Sequence, residues 1–399
     1  MTNPVVAFST VRRIAGITQM KIERVESVLA GNMQIVRIFT DNGLEGIGQS
    51  ACWGYLEASD AVVKKFSEYL VGQDPLQIEH HWQYLYRMGP FRGSVLSGAL
   101  SAVDIALWDI KGKAFEAPVW QLLGGKVREK IRLHLLMGGS MQDGTTVAEG
   151  LRLNALAAAE EGFTAIKTDP LPIGFESMTL ARLIHDTREN VAAMREGAGL
   201  DVDIILEIHR KLTPMNAIAL AEHLVEFRPL FYEDPVQIDS IKSQGEIAKR
   251  TTLPVANGER MHNIWEFREL FEAGGSQYVR PDLGLGGGIT QVKKIAGLAE
   301  SYHSALVTHN FLGPVLTAAA CSIDTSIPNF LTQEYTKADE APENSMFTTA
   351  WKREGGFIPV PDSPGIGVTV DGDALKARAF DPRGLGVPIR IDGSVGYSV

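Results

Sequence analysis

The chain has little cysteine, no excess of basic residues and no long apolar run. Its 399 residues include two cysteines, Cys52 and Cys321, which lie far apart and lack the spacing of metal ligands. Two isolated thiols provide no disulfide framework, and they suit a reducing cytoplasm. No apolar run reaches the roughly 20 residues that span a membrane, and the N-terminus lacks the pattern of a signal peptide. We therefore expect a soluble cytoplasmic protein with no membrane partner.

The formal net charge of −10 argues against nucleic acid as the partner, because no basic excess is available to neutralise phosphates. It is compatible with a small anionic substrate if a metal ion supplies a local positive charge. The hydrophobic content of 45% and the charged content of 22% are those of an ordinary globular protein.

The first third of the chain has the pattern of an α+β unit. KIERVESVLA and MQIVRIFTDNGLEGIGQS alternate apolar and polar residues, and TDNG is typical of a hairpin turn. Apolar residues then recur three and four positions apart in EASDAVVKKFSEYLVG and SGALSAVDIALWDIKGKAF, which predicts amphipathic helices. We assign residues 1–135 to this unit.

From about residue 130 the pattern changes to short apolar strands that alternate with amphipathic helices, from IRLHLLMGG to SALVTHNF. Such alternation predicts parallel strands covered by helices. The number of repeats favours a closed α/β barrel over residues 136–350, and an open doubly wound sheet is the alternative. Residues 351–399 contain no further strand–helix unit, and we expect this Gly- and Pro-rich segment to pack on the first domain.

Titratable residues recur at the expected carboxyl ends of successive barrel strands. They are 23 to 27 residues apart, about one strand–helix unit, and comprise Glu207, Glu233, Glu259, Asp282, His309 and Glu334. These strand ends form the rim that carries the active site of an α/β barrel, so the six side chains are predicted to converge. Taken singly, each would more often be a loop residue or a helix cap.

Carboxylates on adjacent strand ends would repel one another unless a cation lay between them. Oxygen ligands of this kind suit Mg²⁺ and leave positions open for water or substrate. A purely structural Mg²⁺ or Ca²⁺ site is the alternative, but imidazole is a poor ligand for hard cations, so it would leave His209 and His309 unexplained. We interpret the histidines as proton carriers, with Asp282 placed to orient His309.

At these residues the sequence resembles the enolase superfamily, in particular its mandelate racemase subgroup. The similar segments include YLVGQDPLQIEHHWQYLYR and ALSAVDIALWDIKGKAFEAPVWQLLGG in the first domain, and LFYEDP, NGERM, RPDLGLGGGITQVKKIAGLAE and VTHNFLGPVLTAAA in the barrel. EIHRKLTPMNAIALAEHLVEFRPLFYEDP is most similar to the sugar-acid dehydratases of the subgroup. The resemblance covers nearly the whole chain. It implies a (β/α)7β-type modified TIM barrel with an α+β capping domain that the C-terminal segment completes.

The resemblance also implies a role for each rim residue. Glu207, Glu233 and Glu259 would hold one Mg²⁺ per subunit, which would stabilise the enediolate formed when the proton next to the substrate carboxylate is removed. His309, paired with Asp282, would remove that proton. Glu334 would hydrogen-bond the carboxylate oxygen, and His209 would protonate the departing 3-hydroxyl.

Further residues are expected to contact the substrate. The implied set comprises Lys167, Asp169, Arg260 and Trp53, with Arg12, Arg13 and Tyr55 as additional candidates in early loops. The expected partners are a small-molecule sugar acid and other copies of the same chain in a homo-oligomer.

Two segments depart from the family pattern. Glu207 stands where the related dehydratases have Asp, and Arg210 replaces a glycine. In AIKTDP this chain has Lys167-Thr168-Asp169, where racemases of the subgroup have Lys-x-Lys. The absence of the second lysine disfavours racemisation and favours proton abstraction followed by elimination. We expect Lys167 either to bind the substrate carboxylate or to pair with Asp169.

The leading hypothesis is a Mg²⁺-dependent hydro-lyase that converts a sugar (aldonic) acid into a 2-keto-3-deoxy acid. One alternative is a racemase or epimerase of a 2-hydroxy acid. Another is a catalytically silent paralogue, which the change at Glu207 and its neighbours motivates.

Overall fold

The computed structural model describes residues 20–137 and 145–397, and it begins with a three-stranded antiparallel sheet. The strands are β1 (Ile22–Ala30), β2 (Met33–Thr40) and β3 (Glu45–Ser50). The predicted hairpin joins β2 to β3, with Phe39 opposite Glu45. Four helices follow, namely α1 (Leu56–Leu70), α2 (Ile78–Arg87), α3 (Ser94–Ala114) and α4 (Val119–Leu122).

Helix α3 packs directly on β3 because glycines on the strand remove the side chains between the two backbones. A Cβ on Gly48 would lie 1.9 Å from the Ala102 carbonyl oxygen, and one on Gly46 would lie 2.1 Å from that of Ala106. Such a close approach requires glycine. It fixes the helix against the sheet of the capping domain.

Eight parallel strands form the barrel, and each pairs with its neighbours in the order of the chain. They are β4 (Lys130–Leu136), β5 (Ala165–Thr168), β6 (Asp203–Glu207), β7 (Phe231–Glu233), β8 (Val255–Asn257), β9 (Tyr278–Val279), β10 (Ala305–Leu306) and β11 (Gln333–Tyr335). Strand β11 pairs with β4, and Leu306 of β10 bridges Phe330 just before β11. The ring therefore closes, and the prediction of a barrel rather than an open sheet is confirmed.

Seven helices connect these strands on the outside, as a (β/α)7β barrel requires. They are α5 (Val147–Glu160), α6 (Leu180–Ala198), α7 (Pro214–Glu222), α8 (Ile241–Arg250), α9 (Ile264–Glu272), α10 (Gly288–Ser301) and α11 (Pro314–Ser326). The first five begin after a side-chain cap that accepts a backbone N–H, at Thr146, Thr179, Thr213, Ser240 and Asn263. Such caps satisfy donors that have no partner within the helix.

The C-terminal segment contacts both preceding units. Strand β12 (Phe347–Thr349) lies just before residue 351, and the elements of the segment itself are β13 (Phe357–Pro359), β14 (Val368–Val370) and α12 (Gly372–Ala377). Strand β13 pairs antiparallel with β4 of the barrel. Beyond α12, the Gly31 N–H donates to the Ala379 carbonyl at 2.9 Å, and the Asp381 N–H donates to the Gly31 carbonyl at 2.8 Å. These bonds join the segment to the turn between β1 and β2.

The capping domain sits over the carboxyl ends of the barrel strands. The Ala51 N–H donates to the Gly284 carbonyl at 2.9 Å, and Trp82 Nε1 donates to the Gly287 carbonyl at 2.9 Å. Both acceptors follow β9, at the face of an α/β barrel where active sites lie. No helix within the described ranges is both long enough and apolar enough to cross a membrane.

Substitution of Gly48 by Ala tests the contact between α3 and β3. The added methyl would overlap the Ala102 carbonyl, so we expect a loss of about 1–3 kcal/mol in the free energy of unfolding, measured by thermal denaturation. Gly297→Ala is the control, because that glycine is exposed on α10 and a methyl added there would have no heavy atom within 4 Å. Alanine at this position should stabilise the protein by about 0.5–1 kcal/mol. Equal effects of the two changes would contradict the close approach.

Candidate active site

The six rim residues predicted from the strand repeat lie together at the barrel mouth and are all buried. They lie in, or shortly after, β6 to β11 and comprise Glu207, Glu233, Glu259, Asp282, His309 and Glu334. Gly258 precedes Glu259 with a φ of +131°, a conformation that suits glycine. A Cβ on Gly258 would also lie 2.6 Å from the Phe267 ring. Glycine at this turn therefore allows the chain to bring Glu259 into the mouth.

Lys167, at the end of β5, joins three of the glutamates. Its Nζ lies 2.5 Å from Glu207 Oε2, 3.1 Å from Glu233 Oε1 and 2.9 Å from Glu334 Oε1. Burial and the nearby Arg280 disfavour the ammonium, but the three carboxylates outweigh them and raise the pKa of Lys167. Lys167 is therefore a permanent cation that binds acidic side chains, and its partners do not include Asp169.

Arg280 is a second buried cation in this group. Its guanidinium contacts Glu233 through Nε and Glu334 through Nη2. Burial by itself would raise the pKa of Glu334, but Lys167 and Arg280 lower it to about 2. For Glu233, burial outweighs the same two cations and raises the pKa of the carboxyl group well above its usual range. Glu233 thus shares Lys167 with Glu207 and shares both Lys167 and Arg280 with Glu334.

A cluster of carboxylate oxygens forms beside this network. Oxygens of Glu207, Asp234 and Glu259 all lie within 4.8 Å of one another. Glu207 Oε1 and Asp234 Oδ1 are buried and have no hydrogen-bond partner among the described residues. Buried carboxylate oxygens without a donor fit the preference of Mg²⁺ for hard oxygen ligands. Glu233 stays a predicted ligand, and the geometry adds Asp234 as a candidate.

Arg210 contacts the same cluster from the loop after β6. Its Nη1 lies 2.5 Å from Asp234 Oδ2 and 2.8 Å from Glu259 Oε1. Burial disfavours the charge, but Glu259 and Asp234 outweigh it and raise the pKa of Arg210. Burial likewise opposes ionisation of Glu259, whereas Arg210 and His309 hold the pKa of that carboxyl group well below its usual range. Arg210 is thus an integral part of the site.

His309 is held between Asp282 and the carboxylate cluster. Its Nδ1 lies 2.6 Å from Asp282 Oδ2, and its Nε2 lies 3.3 Å from Glu259 Oε2. Burial lowers the pKa of the imidazole, but Glu259, Glu334 and Asp282 together raise it to about 9. The structure therefore pairs His309 with the aspartate that the sequence places one strand earlier.

His209 forms a second histidine–aspartate pair. Its Nδ1 lies 3.1 Å from Asp169 Oδ2, and its Nε2 lies 3.6 Å from Glu207 Oε2. The Lys211 ammonium contacts the same oxygen of Asp169. Burial would raise the pKa of Asp169, but His209 and Lys211 lower it. Asp169 thus serves as an acceptor for His209. From the sequence, Asp169 is predicted only as a substrate contact or as a partner of Lys167.

Three buried charged residues of the mouth were not among the predicted site residues. They are Arg210, Asp234 and Arg280. Asp234 follows directly after Glu233, so the paired acids in YEDP were a signal for it. Arg280 precedes Asp282 by two residues, and the alternation of a strand would have placed the two on one side. The position of the Arg210 side chain had no comparable signal, because Arg210 has a positive φ outside any strand.

A cavity of about 650 Å³ lies between the capping domain, the C-terminal segment and the mouth. Arg260 lines it and links it to the site, since its Nε lies 3.1 Å from Glu259 Oε1. The Arg260 guanidinium lies 5.1 Å from the centre of the Trp53 ring, and that of Arg383 lies 4.5 Å from it. Arg260 and Arg383 are the charged residues among the described lining. The cavity therefore favours an anionic ligand.

Three additional candidates for substrate contact were predicted from the early loops, namely Tyr55, Arg12 and Arg13. Tyr55 lines the same cavity and is exposed. Arg12 and Arg13 lie outside the described residues.

Two known protein families match the chain. The mandelate racemase / muconate lactonizing enzyme N-terminal domain matches residues 9–124, and the enolase C-terminal domain-like family matches residues 151–374. The two matches correspond to the capping domain and to most of the barrel.

Individual relatives are similar over almost their whole length. D-galactonate dehydratase from Cronobacter sakazakii is 35% identical, and the match covers 90% of this chain and 94% of that protein. A solved structure of an enolase superfamily member from Salmonella Typhimurium is 31% identical, with a TM-score of 0.85 and coverage of 90% and 98%. An enolase from Agrobacterium radiobacter, solved with bound Na and L-malate, is 27% identical, with a TM-score of 0.88 and coverage of 95% and 100%.

The environment of His309 predicts a pH-dependent stability in the presence of EDTA. Its folded-state pKa of about 9 lies above the usual 6.5, so protonation of His309 stabilises the fold fully below pH 6.5. This stabilisation disappears as the pH rises through 9 and amounts to at most about 3 kcal/mol. We expect the melting temperature of the wild type to fall over this range more steeply than that of His309→Gln. Parallel profiles would contradict the ion pairs of His309.

Proposed function

Because the chain belongs to the mandelate racemase / muconate lactonizing enzyme family of the enolase superfamily, we propose that it is a Mg²⁺-dependent sugar-acid dehydratase. The reaction would remove the proton next to the substrate carboxylate and expel the 3-hydroxyl group as water. Tautomerisation of the resulting enol would give a 2-keto-3-deoxy acid. D-galactonate dehydratase, at 35% identity, supports a hydro-lyase of this kind.

The observation that carries the proposal is the placement of two histidine–aspartate pairs on opposite sides of the mouth. His209 follows β6 and His309 follows β10, and these strands are four places apart in a ring of eight. Each Nδ1 faces an aspartate, and each Nε2 faces a glutamate of the carboxylate cluster. A substrate bound at the cluster would therefore have one imidazole on either side. Elimination requires this arrangement, because one group must accept a proton while another donates one.

His309 is the proposed base. Despite burial, Glu259 and Glu334 raise the pKa of His309 to about 9, so its neutral form would require a bound cation to offset the charge of these carboxylates. That form would donate Nδ1–H to Asp282 and direct the Nε2 lone pair toward the cluster, where the proton to be removed would lie. The low pKa of Glu334 keeps a carboxylate in contact with Lys167 and Arg280. Glu334, held ionised by these two cations, would accept a hydrogen bond from a protonated carboxylate oxygen of the intermediate.

His209 is the proposed acid. Hydroxide is a poor leaving group, so the departing oxygen requires a proton. Asp169 accepts from Nδ1 of His209, which fixes the orientation of the imidazole and leaves Nε2 directed toward the mouth, where the leaving hydroxyl would lie. The lysine that a racemase of the subgroup would have at position 169 could not act as this acceptor, because an ammonium has no lone pair.

Mg²⁺ would be held by Glu207 and Glu259, together with Glu233 as the resemblance implies or Asp234 as the cluster geometry favours. When bound, it would act as a Lewis acid that offsets the negative charge gained when the substrate loses its proton. The unpaired oxygens of Glu207 and Asp234 support the fit of a divalent cation. The two lining arginines of the cavity support an anionic substrate, with Trp53 and Arg260 as contacts.

A panel of aldonic and other sugar acids tests the reaction. We expect at least one acid to yield a 2-keto-3-deoxy product in the presence of MgCl₂, and we expect EDTA to abolish its formation. Product can be measured as the semicarbazone or by NMR. Failure of every acid to react, with bound Mg²⁺ demonstrated, would contradict the proposal and favour a catalytically silent paralogue.

Substitution of each histidine separates dehydration from racemisation. We expect His309→Asn to lower kcat by about 10²–10⁴-fold and to abolish exchange of the C2 proton in D₂O. His209→Asn should lower dehydration similarly but retain C2 exchange, because the base is intact. A racemase would instead return substrate with inverted configuration, and water would not be lost. Deuterium incorporation by NMR distinguishes these outcomes.

A further inference from the structure

The guanidinium of Arg210 lies inside the carboxylate cluster that the proposed function assigns to Mg²⁺. Its Nη1 is 2.5 Å from Asp234 Oδ2 and 2.8 Å from Glu259 Oε1, and the residue is 2% exposed. Two of the three residues whose oxygens form the cluster are therefore already bound to Arg210, and the third, Glu207, is bound to Lys167.

The backbone around Arg210 holds it there in an unfavourable conformation. Arg210 has a φ of +63° and follows His209, which has a φ of +52°. Residues other than glycine rarely adopt this left-handed backbone conformation. The Arg210 N–H donates to the Asp234 carbonyl at 2.6 Å, and Gln237 Nε2 donates to the Arg210 carbonyl at 3.0 Å. These bonds maintain a loop in which glycine would be free of strain.

The guanidinium is bound by charge rather than by a full set of hydrogen bonds. Nη2 of Arg210 is buried and has no acceptor among the described residues, and Asp234 Oδ1 and Glu207 Oε1 have no donor. A guanidinium has five N–H donors, so a site built for arginine alone would satisfy more of them. The unpaired oxygens mark the side of the cluster that remains available to a second cation.

A divalent cation in this cluster would meet two obstacles. The oxygens of Glu259 and Asp234 that bind Arg210 would have to be shared or released, and the positive charge of the guanidinium would repel the ion. Electrostatic repulsion is strong at such distances in a buried site. The same contacts remove repulsion among the acids before any metal binds.

We propose that Arg210 is a built-in counter-cation, which holds the acidic cluster in place without metal and which Mg²⁺ must displace from Glu259 in order to bind. Arg210 is thus a positioning residue, and it sets the affinity for the metal. This inference rests on the proposed Mg²⁺ dependence. It predicts weak Mg²⁺ binding in the wild type and a fold that is stable in EDTA.

Arg210→Gly tests the inference, because glycine suits the positive φ and removes the guanidinium. The matched control is Arg228→Gly, the same change at a φ of +49° on an exposed turn. Binding of MgCl₂ is measured by isothermal titration calorimetry, and melting temperatures are measured in EDTA and in MgCl₂. We expect Arg210→Gly to bind Mg²⁺ at least 10-fold more tightly than the wild type. Its melting temperature should fall in EDTA and recover in MgCl₂, while Arg228→Gly should match the wild type in Mg²⁺ affinity.

Unchanged or weaker Mg²⁺ binding by Arg210→Gly would overturn the inference. If the wild type binds Mg²⁺ and dehydrates a sugar acid in that case, the proposed function stands and only the role of Arg210 fails. Absence of Mg²⁺ binding in both proteins would overturn the proposed metal dependence as well. Should Arg210→Gly not fold, Arg210→Gln and Arg210→Lys provide the comparison. The neutral glutamine variant should bind Mg²⁺ at least 10-fold more tightly than the lysine variant, and equal affinities would contradict the proposal.

Discussion

The mutual neutralisation of buried charges at the barrel mouth is the interaction on which the site depends. Three buried cations, Lys167, Arg210 and Arg280, each contact at least two carboxylates. The buried acids of the described mouth are Glu207, Glu233, Asp234, Glu259, Asp282 and Glu334. An isolated charge in such surroundings is very costly, and removal of one partner leaves the other uncompensated. Each side chain of the mouth is consequently positioned by its partners.

The fold makes this arrangement attainable because it concentrates strand ends. Eight parallel strands direct their carboxyl ends to one face, and the capping domain covers that face through hydrogen bonds such as that from Ala51 to Gly284. Covering the mouth excludes water and strengthens the electrostatic interactions within it. The same ring geometry places His209 and His309 on opposite sides, where each is oriented by an aspartate. In the proposed reaction, proton removal and proton donation would therefore proceed from different directions.

Much of the fold and of the candidate site could be predicted from sequence. The features that could not be predicted share one cause. The alternation of strands and helices predicted the closed barrel, and the spacing of Glu207, Glu233 and Glu259 predicted convergence at its rim. The sequence left two options for Lys167, a substrate carboxylate or Asp169. In the structure, Lys167 binds three glutamates and Asp169 faces His209. The nearest of these partners along the chain is 40 residues away. The sequence around Lys167 and Asp169 therefore does not indicate which partner each side chain binds.

The sequence by itself determined most of the groups that reach the mouth, because strand periodicity and the length of one strand–helix unit decide which residues stand at strand ends. Arg210, which lies outside any strand, is the exception. Only the tertiary structure decided how those groups pair. The positive φ angles of His209, Arg210 and Asp234 direct their side chains in ways that no periodicity describes. The choice between Glu233 and Asp234 as neighbour of the cluster depends on which cation each acid meets. Pairing among buried charges is a property of the whole set, since every contact changes the energy of the next.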